Sequence, residues 1–95
     1  MQTIESIPLH EIQAARTRLH GIALRTPLVR LEMDEAPAEI WLKLENLQPI
    51  GSFKLRGAAN AMLRAGAPAL ARGVWTPSAG NMAQGVAWSA RRLGV

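Results

Sequence analysis

Apolar side chains at Leu9, Ile12, Ala15 and Leu19 recur at three- and four-residue intervals. That spacing predicts an amphipathic helix that starts after Pro8 and ends at Gly21. Residues 26–33, TPLVRLEM, predict a short strand, because proline is tolerated at the first position of a strand. A turn is predicted over residues 34–38, around Pro37. Residues 40–45 alternate imperfectly between apolar and polar, which predicts a second strand, covered on both faces over its first half. After a loop over residues 46–51, Ser52 is placed to cap a helix running from Phe53 to about Ala65, closed by Gly66 and Pro68. Residues 73–77 predict a third, short apolar strand. The loop of Ser78, Ala79 and Gly80 then opens a helix from Asn81 or Met82 to Leu93, with Gly94 where a left-handed cap belongs.

The resulting order is helix, strand, strand, helix, strand, helix. Its later alternation predicts an α/β fold with βαβ units, an incomplete parallel sheet flanked by helices. Gly94 and Val95 fall where a further parallel strand should begin, so the chain reads as the opening of a larger domain.

Composition narrows the function classes. The chain has 95 residues, 48% of them apolar and 19% charged, the profile of a folded domain. It contains no cysteine, which excludes disulfides, thiolate metal sites and thiol nucleophiles and is compatible with the cytoplasm. Neither a signal peptide nor a run of roughly eighteen apolar residues occurs, so no membrane association is expected. The net charge of +4 rests on nine arginines and two lysines, Lys43 and Lys54. The arginines are scattered without interleaved aromatics, so no nucleic-acid partner is expected. His10 and His20 lack metal-ligand spacing, Ser89 has no nucleophile elbow, and no GxGxxG, Walker A or HExxH pattern is present. Met62, Met82 and Trp88 read as packing residues, and Lys43 as a strand lysine that pairs with an acidic neighbour or faces solvent.

Two places offer chemistry. Lys54 falls in the first turn of a predicted helix, where the partial positive charge of the helix end disfavours its ammonium form. An amine in that state can condense with an aldehyde. Placement alone favours an ordinary surface lysine at a helix start. The loop of Ser78, Ala79, Gly80, Asn81 and Met82 follows a strand and opens a helix, so its backbone N–H groups suit an anion such as a carboxylate. It also reads as a plain strand-to-helix turn.

Together the two stretches match one family. Residues 42–58, LKLENLQPIGSFKLRGA, resemble the lysine segment of threonine dehydratases and serine racemases, which are fold-type II, tryptophan-synthase-β-like pyridoxal-phosphate (PLP) enzymes. Residues 78–87, SAGNMAQGVA, resemble the same family's substrate-carboxylate loop, and Thr26, Pro27 and Leu28 its early strand. The resemblance implies the beginning of that architecture, with residues 1–72 in the larger PLP-binding domain and 73–95 opening the smaller substrate-binding domain. It implies that Lys54 forms the Schiff base with PLP and removes the substrate α-proton. Phe53 would pack against the cofactor ring and Asn81 would hydrogen-bond the ring hydroxyl. Ser78, Ala79 and the backbone N–H groups of Gly80, Asn81 and Met82 would surround the substrate carboxylate. The implied reaction is loss of ammonia from threonine or serine to give a 2-oxo acid, by a homo-oligomeric full-length enzyme acting on a small amino acid.

Details separate subfamilies. Leu55 stands where cysteine synthases typically have aspartate. Ala79 stands where serine racemases carry the serine that acts on the opposite face of the α-carbon, which favours the dehydratase. Met82 replaces a common histidine, and Ile50 a common threonine. Another fold-type II enzyme, a racemase or a diaminopropionate-type lyase, is the alternative within enzymes. A non-catalytic truncated relative serving as a binding or structural fragment is the alternative outside them. The family's glycine-rich phosphate loop has no counterpart here: none of the eight glycines forms a Gly-x-Gly pair. The 95 residues alone are therefore expected to bind PLP weakly and not to turn over.

Overall fold

Pro8, with φ −65° and ψ 146°, leads into the first helix, α1 (Leu9–Arg18), and lacks the amide donor that a helix start leaves unpaired. Glu11 in its first turn and Arg16 and Arg18 in its last complement the helix dipole. The computed structural model describes residues 3–95. The chain leaves α1 through Leu19 and turns at Gly21, whose φ of 76° suits glycine. The predicted apolar stripe is present, but of its members only Leu19 is buried. α1 rests on the next helix through Arg18, whose Nε donates to Asn60 Oδ1 at 2.8 Å.

The strands are shorter than predicted, and they pair differently. β1 (Leu28–Arg30) and β2 (Trp41–Lys43) form a two-stranded antiparallel ladder with Val29 opposite Leu42. This corrects the expected parallel pairing. The connection between them spans only residues 31–40, and a parallel crossover needs a dozen or more. β2 is also not covered on both faces, since Trp41, Leu42 and Lys43 are all exposed. Residues 73–77 run without ladder partners among the described residues, so no third strand forms, and Trp75 is 85% exposed. Extended backbone becomes a strand only when a neighbour takes its hydrogen bonds.

Two helices hold the core. In α2 (Lys54–Ala65), Leu55, Ala58, Ala59 and Met62 lie on one buried face at the spacing of a single helical stripe. α3 (Asn81–Leu93) turns Gly85 and Ser89 toward them. The two helices run in the same direction. Gly85, in the second turn of α3, faces Lys54 and Ala58 at the start of α2, whereas Leu93, Gly94 and Val95 share a cavity of about 390 Å³ with Met62, Leu63 and Gly66 at its end. α3 closes as predicted: Gly94 is left-handed, its N–H donates to Arg91 O at 3.3 Å, and the Val95 N–H donates to Ala90 O at 2.8 Å, a Schellman motif.

Ser52 does not cap α2. Phe53 occupies the capping position with helical φ and ψ, while Ser52 Oγ is buried without a hydrogen-bond partner among the described residues. No helix among the described residues is long and apolar enough to cross a membrane. Gly57, inside α2, would meet nothing within 4 Å if it carried a Cβ. Gly57→Ala is therefore expected to raise stability by about 0.5–1 kcal/mol, read as a higher denaturation midpoint.

Candidate active site

Because α2 and α3 are parallel, their N-termini share one end of the molecule, and that end holds both predicted stretches. Lys54 is the first residue of α2 and is half-buried. Its Nζ lies 4.9 Å from the centre of the Phe53 ring and makes no hydrogen bond or ion pair among the described residues. A cation over an aromatic face is held by the ring quadrupole, which leaves the amine oriented but uncommitted. The Phe53 ring itself is 60% exposed. Lys43 is exposed, one of the two expected settings, and its Nζ donates to the carbonyl oxygen of Thr26 rather than to an acidic neighbour.

On the other helix, Ser78 Oγ accepts from the N–H groups of Gly80 and Ala83, each at 3.2 Å, and so shapes the loop and caps α3. The Gln84 N–H reaches Gly80 O at 3.2 Å. The amides of Asn81 and Met82 are left without acceptors among the described residues. Asn81 lies one turn before Gly85 on the same face of α3, and Gly85 is packed against Lys54. Ala79 is exposed on the loop.

At the first turn of α2, reached through Arg56, the structure contains a polar cluster that the sequence pattern did not reveal. Glu45, only 14% exposed at its side chain, accepts from Thr26 Oγ1 at 2.5 Å, Gln48 Nε2 at 3.1 Å and Arg56 Nη2 at 3.2 Å, and from Arg56 Nε in a charge-assisted bond. The Arg56 bond is the main reason its carboxyl is lowered to about 2; Thr26 and Gln48 reinforce it, and burial opposes it. Gln48 also bridges the Leu24 backbone, with Oε1 accepting from its N–H at 2.9 Å and Nε2 donating to its carbonyl at 2.8 Å. Arg56 Nη2 reaches the same carbonyl at 3.0 Å. The first turn of α2, two residues after Lys54, is thereby tied to the segment entering β1. The signal available in the sequence was an acid, an amide and a guanidinium (Glu45, Gln48 and Arg56) flanking one lysine.

A free amine, an aromatic ring beside it and unpaired amides at the same end fit the aldehyde and ring portion of a pyridoxal cofactor and an amino-acid carboxylate. Comparison with known proteins agrees. Residues 20–95 match the family described as pyridoxal-phosphate dependent enzyme. The chain belongs to this family. It is 39% identical over its whole length to a catabolic L-threonine dehydratase of Staphylococcus aureus, of which it covers 28%. It is 47% identical over 94% of its length to an L-threonine ammonia-lyase of Geobacter sulfurreducens, of which it covers 23%. Among solved structures, maize serine racemase superposes with a TM-score of 0.82 at 31% identity, covering 92% of this chain and 28% of that one. A PLP-dependent aspartate racemase superposes with a TM-score of 0.79 at 35% identity, covering 99% of this chain and 31% of that one. The fold is therefore that of the fold-type II PLP enzymes, and the small antiparallel ladder and parallel helix pair are parts of it. The family's cofactor is pyridoxal phosphate.

Proposed function

We propose that this chain is the lysine-bearing part of an ammonia-lyase that converts L-threonine or L-serine to a 2-oxo acid and ammonia. The observation that carries the reading is the shared end of α2 and α3, where the uncommitted amine of Lys54 and the unpaired amides of Asn81 and Met82 lie on neighbouring helices. The names of the dehydratase relatives support the same reaction.

In this reading Lys54 would hold the cofactor through Nζ, and the same atom, when free, would take the proton from the substrate α-carbon. Phe53 would pack along the cofactor ring and Asn81 would hydrogen-bond its hydroxyl. The amides of Asn81 and Met82 receive the substrate carboxylate, within a loop formed by Ser78, Ala79 and Gly80 that the Ser78 hydroxyl keeps in shape. When bound, pyridoxal phosphate supplies an electron sink for the charge left at the α-carbon. Residues 1–72 belong to the larger cofactor-binding domain, and 73–95 open the smaller, substrate-binding one. The proposal extends to a homo-oligomeric enzyme of the cytoplasm.

A racemase is the second reading, favoured by the two racemase structures that superpose on the chain. Ala79 weighs against it, because a methyl group holds no proton to return to the opposite face of the α-carbon. The test uses the full-length protein that contains this chain, incubated with PLP and reduced with borohydride. Peptide mapping is expected to find the label on Lys54, and L-threonine to yield 2-oxo acid without accumulation of its D-allo epimer. Label on Lys43 would defeat the assignment, and a D-amino acid as the main product would establish the racemase.

A further inference from the structure

We infer that Gly85 is a positioning residue, one that sets the spacing between Lys54 and the Asn81–Met82 amides; this rests on the function proposed above. An ideal Cβ built on Gly85 would lie 3.1 Å from the backbone oxygen of Lys54, 3.3 Å from its carbonyl carbon and 3.3 Å from Ala58 Cβ. Two of these three atoms are backbone of the lysine itself, inside a helix, where the chain cannot move aside as a flexible side chain would. A side chain at position 85 would thus be relieved by lifting α3 off α2.

The direction of that movement matters. α3 carries Asn81 and Met82 in its first turn, one turn above Gly85, so a displacement of a few tenths of an ångström at Gly85 is passed along a rigid helix to their amides. Lys54 stays where it is, anchored from below by Arg56 and Glu45. The two halves of the site then shift relative to each other while each remains internally intact. Small misplacements of this kind act on substrate alignment more than on the reactive group. Among the described residues no other glycine has a Cβ contact under 3.4 Å, so the close approach is specific to this crossing.

The experiment compares wild-type full-length protein, G85A and G57A after loading with PLP. Two readouts are taken: borohydride-trapped label on Lys54, and the affinity for L-alanine, an amino acid without a β-leaving group, followed by absorbance. G85A is expected to keep the label and to bind L-alanine about tenfold more weakly. G57A, which adds the same methyl group where there is open space, is expected to match wild type in both. If G85A does not fold, A58S, which enlarges the α2 side of the same crossing and leaves the Lys54 backbone contact untouched, carries the same comparison. Wild-type affinity in G85A, equal weakening in G57A, or a parallel loss of label and affinity in G85A overturns the inference. Absence of label on Lys54 in the wild-type protein instead defeats the function on which it rests.

Discussion

Replacing Lys54 with alanine is expected to lower turnover of the full-length enzyme by about 10⁴-fold, with little change in its unfolding midpoint. The side chain is half-buried and makes no hydrogen bond or ion pair among the described residues, so removing it breaks only its contact with the exposed Phe53 ring. On the proposed mechanism the substitution removes a nucleophile and a base at one atom, and effects on such a shared group are not separable into two smaller losses. Arginine at this position should be no better than alanine. A guanidinium keeps the charge over the Phe53 ring but remains protonated and cannot condense with an aldehyde. Millimolar methylamine is expected to restore part of the activity of K54A and none of that of K54R, because only the alanine variant leaves room for a small amine. Turnover within tenfold of wild type in K54A would remove Lys54 from the chemistry.

The second large effect lies in the acid limb of stability. The Glu45 carboxyl is lowered from 4.5 to about 2 in the folded chain, chiefly by the Arg56 bond. The folded value lies below the unfolded one, so the stabilisation is fully present above about pH 4.5 and is lost as pH falls toward about 2. Because the Arg56 side chain is 35% exposed, solvent screening reduces the contribution to about 2 kcal/mol. Glu45→Gln is expected to flatten the fall in denaturation midpoint across that window. Arg56→Ala is expected to cost more, about 3 kcal/mol at neutral pH, since it strands a carboxylate that stays largely buried. An unchanged acid limb in E45Q would show that the network does not carry the pH dependence.

Much of the helical framework was legible because it is local. Start and stop residues located α2 and α3 to within a residue: Gly66 and Gly94 marked their ends, and the lysine and serine-loop motifs fell at the two helix starts. The strands were not, because a strand depends on a partner that the local pattern does not name. Residues 73–77 have the composition of a strand and nothing to pair with among those described, and the short connection after β1 forces an antiparallel neighbour. Ser52 failed as a cap because its buried hydroxyl accepts no hydrogen bond from the first turn of α2 among the described residues. The Glu45 cluster joins residues 24, 26, 45, 48 and 56, and no period along the chain links them. Gly85 looks like a weak point in a helix until the lysine backbone is found against it.

The parallel arrangement of α2 and α3 has a thermodynamic consequence. Antiparallel helices attract through their dipoles; two parallel ones lie like end to like end, so the packing of Leu55, Ala58 and Met62 must overcome a mutual repulsion. An anion at the shared N-terminal end relieves that repulsion from both helices at once. Anion occupancy and the cohesion of the helix pair are therefore coupled: a negative group settling near Asn81 would also tighten the contact between α2 and α3, and without one the pair is most easily parted.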